Sequence, residues 1–314
     1  MSGVPHTRPA VWPAVREGRF ARSIQTGSPS GARLALLGLP DDTGVLLNRG
    51  RPGAKQGPAG FRQVLAGFGT TWDGVDDASL TLPIYDAGDV EPAPGDDERA
   101  LCETHGRIEA AVSELRRSGL VVVGIGGGHD LTFPSVAAVG AAHGAPLGGI
   151  NLDAHLDVRA RVGSGMPFRR LIERGVLDPR RFVELGLGRF ANDQADLDWL
   201  RERGGQLVFA REIQRGGLDL DREFDRAFAA GPGFVSIDLD GLDQSVAPGV
   251  SAPNPCGLGV SHALELCERA GQDARVLHFD LMELNPAYDR EQHTARVAAL
   301  LFLHFVAGFR RRAV

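Results

Sequence analysis

Eight short apolar runs of β-forming residues, each followed by a helical or turn-forming stretch, leave this chain few folds other than a parallel sheet covered by helices. In chain order they are "RLALLGL" (33–39), "LPIYDAG" (82–88), "LVVVGIG" (120–126), "PLGGINLDA" (146–154), "FVELGLG" (182–188), "QLVFA" (206–210), "GFVSIDLD" (233–240) and "RVLHFDLMEL" (275–284). Helical patterns lie between them, clearest over 98–119 and 192–205, and a long helix with one apolar side is expected from about Glu291 to Phe309. Most of the runs are continuously apolar, not alternating, which fits strands buried on both faces. Repeated βα units make a mostly parallel sheet. Periodicity does not separate a closed barrel from an open sheet, but in either case chemistry sits at the carboxyl ends of the strands.

A length of 314 residues admits two ordinary domains. Nothing in the middle reads as a linker and no repeat is present, so a single α/β domain over 1–314 is expected, with the Pro-punctuated residues 1–32 as an N-terminal extension. The net charge of −6 offers no footprint for nucleic acid, and Lys55 is the only lysine. No run approaches the ~20 apolar residues of a membrane span, and the N-terminus lacks the apolar stretch of a signal peptide. Three cysteines, Cys102, Cys256 and Cys267, form no C-x-x-C pair and no disulfide framework. The expectation is a cytoplasmic protein acting on a small molecule, without nucleic-acid or membrane partners; a homo-oligomer is left open.

Three strand ends carry acid and imidazole together. "GGGHD" (126–130) brings His129, "DAHLD" (153–157) brings Asp153, His155 and Asp157, and "SIDLDGLD" (236–243) brings Asp238 and Asp240. A spacing of two on an extended chain points side chains the same way. Any one of these carboxylates reads equally well as a helix N-cap, and a lone D-x-D is common on solvated turns. The conjunction is what such readings leave unexplained, because the fold brings strand ends together. Burying four carboxylates unpaired costs several kcal/mol, so a cation is required among them. Six N/O donors without a thiolate suit Mn, Fe, Co, Ni or Zn. Four carboxylates neutralise two divalent ions, and a bridged pair ~3.5–4 Å apart lowers the pKa of water towards ~7. "GIGGGH" superficially fits a dinucleotide fingerprint, with Asp153 at the end of the next strand, but His129 replaces its third glycine and a dinucleotide has no use for His155, Asp157, Asp238 and Asp240.

In this order and spacing the three motifs resemble those of the ureohydrolases: arginase, agmatinase, formimidoylglutamase and relatives. "RGRPGAKQGPAGFRQVL" (49–65) and "FDLMELNP" (279–286) extend the resemblance over about residues 33–310. It implies an open three-layer αβα sandwich with an eight-stranded, mostly parallel sheet (arginase-like), and two Mn2+ per subunit. Matched residue by residue, one ion falls to His129, Asp153, Asp157 and Asp238, the other to Asp153, His155, Asp238 and Asp240. Asp153 and Asp238 are then the bridges, and Glu283 matches the acid that binds the cationic end of the substrate.

Within the group, "GSGMPFRR" (163–170) places Phe168 where arginases and agmatinases carry a proton-shuttling histidine, and resembles formimidoylglutamases, as does "APGVSAPNPCGL" (247–258). Arg159 stands two residues past a ligand position, where a guanidinium repels cationic substrates and clamps a carboxylate. The implied reaction is hydrolysis of N-formimidoyl-L-glutamate to L-glutamate and formamide, a step of histidine degradation, with Asp157 as proton carrier and Glu283 and Arg159 as substrate contacts. The alternatives are another ureohydrolase releasing urea from a guanidino acid, and a non-catalytic member keeping the fold for binding. Asp243 is read as orienting the ligands beside it, Asp130 as either an N-cap or a support for the ligands, and Cys256 as approaching the pocket.

Overall fold

The computed structural model describes residues 3–71 and 79–312; the outermost positions of the single-domain reading and residues 72–78 lie outside it. Ten strands form one sheet among the described residues: β1 Thr7–Arg8, β2 Ile24–Gln25, β3 Leu34–Leu39, β4 Ile84–Val90, β5 Val121–Gly126, β6 Leu147–Leu152, β7 Leu177–Leu187, β8 Gln206–Phe209, β9 Gly233–Asp238 and β10 Val276–Met282. The order is β1-β4-β3-β5-β10-β9-β6-β7-β8, with β2 also on β4. β3 to β10 are the eight expected strands and pair parallel throughout; β1 runs antiparallel to β4. The sheet is open, not closed, as the family resemblance implies.

β1 and β2 are two residues each and carry no pattern a sequence could show. They bring the N-terminal segment onto β4, and Phe20 beside them is fully buried in the main core.

Alternate residues along each strand feed two cores. Leu34 and Leu36 of β3 face one and Ala35, Leu37 and Leu39 the other, which is why the strands read as unbroken apolar runs. Helices Gly57–Leu65, Leu220–Phe228, Val260–Gln272 and His293–Arg310 cover the first face; Glu98–Arg117, Thr132–His143, Pro167–Glu173 and Gln194–Glu202 cover the second. The result is three layers, αβα.

Four neighbours at the middle of the sheet, β5, β10, β9 and β6, carry the polar motifs at their carboxyl ends. The chain leaves β5 and returns as β6 with two strands between them, and the crevice at such a reversal is where open α/β sheets bind ligands. The glycines of "GIGGGHD" serve close packing there. A Cβ at Gly127 would lie 1.8 Å from the Asp41 carbonyl oxygen, so only glycine lets the β3 and β5 loops meet.

Candidate metal centre

The six acid and imidazole residues converge. His129 Nδ1 lies 3.2 Å from Asp153 Oδ2, 2.9 Å from Asp157 Oδ2 and 3.1 Å from Asp238 Oδ2. His155 Nδ1 lies 3.3 Å from both Asp153 Oδ1 and Asp240 Oδ1. Two clusters result, with all donor atoms within 4.8 Å of one another: His129, Asp153, Asp157 and Asp238, and Asp153, His155 and Asp240. Asp153 belongs to both. Asp238 gives one oxygen to the first cluster while its Oδ1 accepts the Asp240 N–H at 2.8 Å.

Local structure sets these directions. Asp153 Oδ1 accepts the His155 N–H at 2.7 Å, folding the chain back after β6. Asp157 turns inward through a left-handed backbone, φ 48°, and Glu283 after β10 does the same at φ 66°. Such conformations are uncommon for residues other than glycine and cluster at functional sites. His129 Nε2 lies 2.9 Å from Ser236 Oγ, whose own proton goes to Asp280 Oδ1. Ser236 must therefore accept from Nε2–H, so a neutral His129 presents the Nδ1 lone pair to the carboxylates, as a metal-binding imidazole does. Asp280 Oδ2 also accepts from Thr132 Oγ1 and lies hydrogen-bonded to His278 Nε2, each at 2.9 Å. This support was missed in the sequence, although Ser236 and Asp238 follow the same period of two as the motif.

The residues fit divalent cations. His129 Nδ1, Asp153 Oδ2 and Asp240 Oδ1 are buried without a hydrogen-bond partner, an arrangement a cation satisfies and a second acceptor does not. Crowded charge shows in the titration of these groups. Burial, followed by the charges of Asp240 and Asp153, holds the Asp238 carboxyl well above its usual range; burial above all pushes Asp240 up to about 6 and Glu283 up to about 8. Asp153 goes the other way: burial opposes it, but the imidazoles of His129 and His155 hold it low.

A pH dependence follows. A carboxyl raised in the folded state adds stability below its ordinary pKa, and that stability is lost as pH rises through the raised value. Within the site, Asp240 and Glu283 thus weaken the metal-free protein between about pH 4 and about pH 8, while Asp153 works in the opposite sense. A bound cation needs the ionised forms. The rise in Tm on adding divalent metal is expected to be larger at about pH 8 than at about pH 5; thermal unfolding with metal and with chelator checks this, and a larger rise at the acid end contradicts it.

His129, His155, Asp157, Asp238 and Asp240 line a cavity of about 180 Å³ together with Asn48, Arg159, Ser164, Gly165, Ser251 and Glu283, and Asp153 lies fully buried behind them. Its histidines are His129 and His155 alone among the described residues. Phe168 does not reach it: Pro167 starts a helix whose first turn carries Phe168 into the core behind His129, ring centroids 5.4 Å apart. Gly165 lets the Arg159 stem lie across it, since a Cβ would press on Arg159 Cδ at 3.0 Å. Arg159 is exposed and lines the rim, with its charge reaching the Asp196 carboxyl. A larger cavity of about 830 Å³, mostly apolar and reaching Cys256 and the exposed Phe190, adjoins through His155 and Ala252.

Other sequence readings resolve differently. Asp243 accepts from the N–H and Oγ of Ser245, so it shapes its own loop and does not orient the ligands. Asp130 pairs with His105 Nε2 at 2.8 Å. Arg62 of the N-terminal motif is buried against Asp86 and Asp89 and works for the fold. Arg51, unremarked in the sequence, donates to the carbonyls of Val250 and Ser251 and stands 4.2 Å over the Tyr288 ring, holding the loop that carries Ser251 to the cavity.

An open αβα sheet with a cradle of acids and imidazoles at its central strand ends defines a metal-dependent hydrolase of the α/β class. A family model described as the arginase family matches residues 32–308. The formimidoylglutamase of Aromatoleum aromaticum is 33% identical over 316 residues, covering 95% of this chain and 89% of that protein. The mitochondrial guanidino acid hydrolase of Homo sapiens is 33% identical, covering 91% and 80%. A crystal structure of Trypanosoma cruzi formiminoglutamase with Mn2+ superposes with a TM-score of 0.86 at 34% identity, covering 94% of this chain and 99% of that one. The chain belongs to the arginase family.

Proposed function

We propose that this protein hydrolyses N-formimidoyl-L-glutamate to L-glutamate and formamide, with two Mn2+ held by His129, Asp153, His155, Asp157, Asp238 and Asp240. The observation that carries the reading is the cavity lining: Glu283 faces a site with no third histidine among the described residues, and Arg159 stands at its rim. The formimidoylglutamase relatives and the structural neighbour with Mn2+ support it.

The metals, when bound, supply Lewis acidity and a water acidified towards pKa ~7. The chain's residues do the rest. Glu283 binds the amidinium and fixes the formimidoyl carbon over the acid cluster. Asp157 takes the proton of the attacking water and delivers it to the leaving glutamate nitrogen. Arg159 takes a carboxylate at the far end through charge-assisted hydrogen bonds. Water adds across the amidine carbon, the bond to the glutamate nitrogen breaks, and formamide leaves. Cleavage of this substrate is a step of histidine degradation.

The test is a product assay on Mn2+-reconstituted protein offered N-formimidoyl-L-glutamate, arginine, agmatine and 4-guanidinobutyrate, with formamide, urea and ammonia quantified. Formamide from the first alone is expected. Urea from a guanidino acid would retain the metal site, overturn the substrate, and fit the human guanidino acid hydrolase relative instead. Arg159→Ala is expected to raise KM about tenfold to a hundredfold with kcat little changed, since a hydrogen bond to a charged group is worth roughly 1.5–3 kcal/mol. An unchanged KM returns Arg159 to the surface.

A further inference from the structure

Beneath the site, the strand register sets a row of polar side chains side by side: Glu184 of β7 opposite Asn151 of β6, Asn151 opposite Ser236 of β9, and Ser236 opposite Asp280 of β10. All four are fully buried. The Ser236–Asp280 half is hydrogen-bonded through, as described above. The other half is not. Asn151 Nδ2 donates to Glu184 Oε2 at 2.9 Å, while Glu184 Oε1 and Asn151 Oδ1 are buried with no donor.

The two orphaned acceptors belong to the two partners of one hydrogen bond. No arginine, lysine or histidine is paired with Glu184 among the described residues, so an ionised carboxylate there would be buried without a countercharge. One proton on Oε1 would give Asn151 Oδ1 the donor it lacks, so that acid and amide would close a ring of two hydrogen bonds. Ionised, Glu184 cannot make the second bond.

We propose that Glu184 is a protonated carboxylic acid closing a reciprocal hydrogen-bonded ring with Asn151, and that this ring positions Asp153. Burial, and next the charge of Asp153, hold the Glu184 carboxyl well above its usual range, in the direction the ring requires. Asn151 precedes Asp153 by two residues, and the Asp153 N–H donates to the carbonyl of Leu185, the neighbour of Glu184, at 2.9 Å. Ring and main-chain bond together pin the end of β6 to β7 where Asp153 departs. Glu184 is thus a positioning residue, acting through Asn151 and not on substrate.

Infrared difference spectroscopy of the full chain, wild type minus Glu184→Gln, tests the ring. A carbonyl band of a protonated carboxyl group at neutral pH, shifted in D2O and absent from the variant, is expected. Carboxylate bands in its place overturn the ring. A glutamine amide can close the same ring, so Glu184→Gln is expected to hold Mn2+ within about threefold of wild type. Asn151→Leu/Glu184→Leu removes both partners and leaves no orphaned group; its Mn2+ affinity is expected to fall about tenfold. Wild-type affinity in that folded variant overturns the positioning role, and Asn151→Ser repeats the titration should the double variant not fold. The positioning half rests on Asp153 as a metal ligand. If wild type itself binds no Mn2+, that reading fails, while the infrared band still decides the ring.

Discussion

Asp153→Ala is expected to abolish stable metal loading and turnover together. Asp153 is the one residue shared by the two donor clusters, with Oδ2 at 3.2 Å from His129 Nδ1 and Oδ1 at 3.3 Å from His155 Nδ1. Four carboxylates balance two divalent ions, and three do not. The same Oδ1 accepts the His155 N–H, so the loss also frees the turn that aims His155. Removing one partner of a buried ionic group costs roughly 3–5 kcal/mol, which corresponds to about two to four orders of magnitude in affinity. Metal content after dialysis is expected to drop from two ions per chain to one or none, with far-ultraviolet circular dichroism unchanged. Asp153→Asn, which keeps the size and removes the charge, should behave alike. Turnover retained with two metals bound sinks the shared-ligand arrangement.

That residue was legible in sequence because its environment is extreme. A period-two acid and imidazole pattern at the end of an apolar strand has few structural uses, and three such ends in one α/β chain have fewer. The eight long strands were legible for a related reason. Most are buried on both faces, so composition alone marks them; the edge strand β8 is only half-buried. The two-residue strands β1 and β2 were not, because pairing at a sheet edge over two residues asks nothing of the side chains.

The supports of the site were harder to see. Ser236, Asp280, Thr132, Asn151 and Glu184 are polar residues inside apolar runs or at a helix start, and the hydrogen bonds that join them span 33 to 148 positions. Register brings them together, and register is set by pairing across strands that the chain visits out of order. Phe168 shows the opposite limit. Counting along the chain set it opposite a shuttle histidine, but Pro167 begins a helix there and turns the ring into the core. Loop position, unlike strand position, does not fix direction.

Glu283→Gln is expected to lower kcat/KM by about thirtyfold to several thousandfold while metal content stays at two ions per chain. Glu283 lines the cavity but belongs to neither donor cluster. Its main-chain N–H is fixed on the Gly127 carbonyl at 2.9 Å, and its Oε1 accepts the His129 N–H at 3.0 Å, while the Ser251 hydroxyl beside the carboxylate favours its ionised form. Burial above all raises its carboxyl to about 8; a cationic amidinium alongside restores the ionised form and gains a buried, charge-assisted contact. Truncating such a pair costs about 2–5 kcal/mol, which sets the expected range. The glutamine keeps a carbonyl for the His129 N–H, so the fold of the loop survives and the charge alone is tested. Unchanged kcat/KM would show that the substrate's cationic end is held elsewhere. Lost metal would make Glu283 part of the cradle, and the contact with the amidine would then have to come from the loop that Arg51 holds over the cavity.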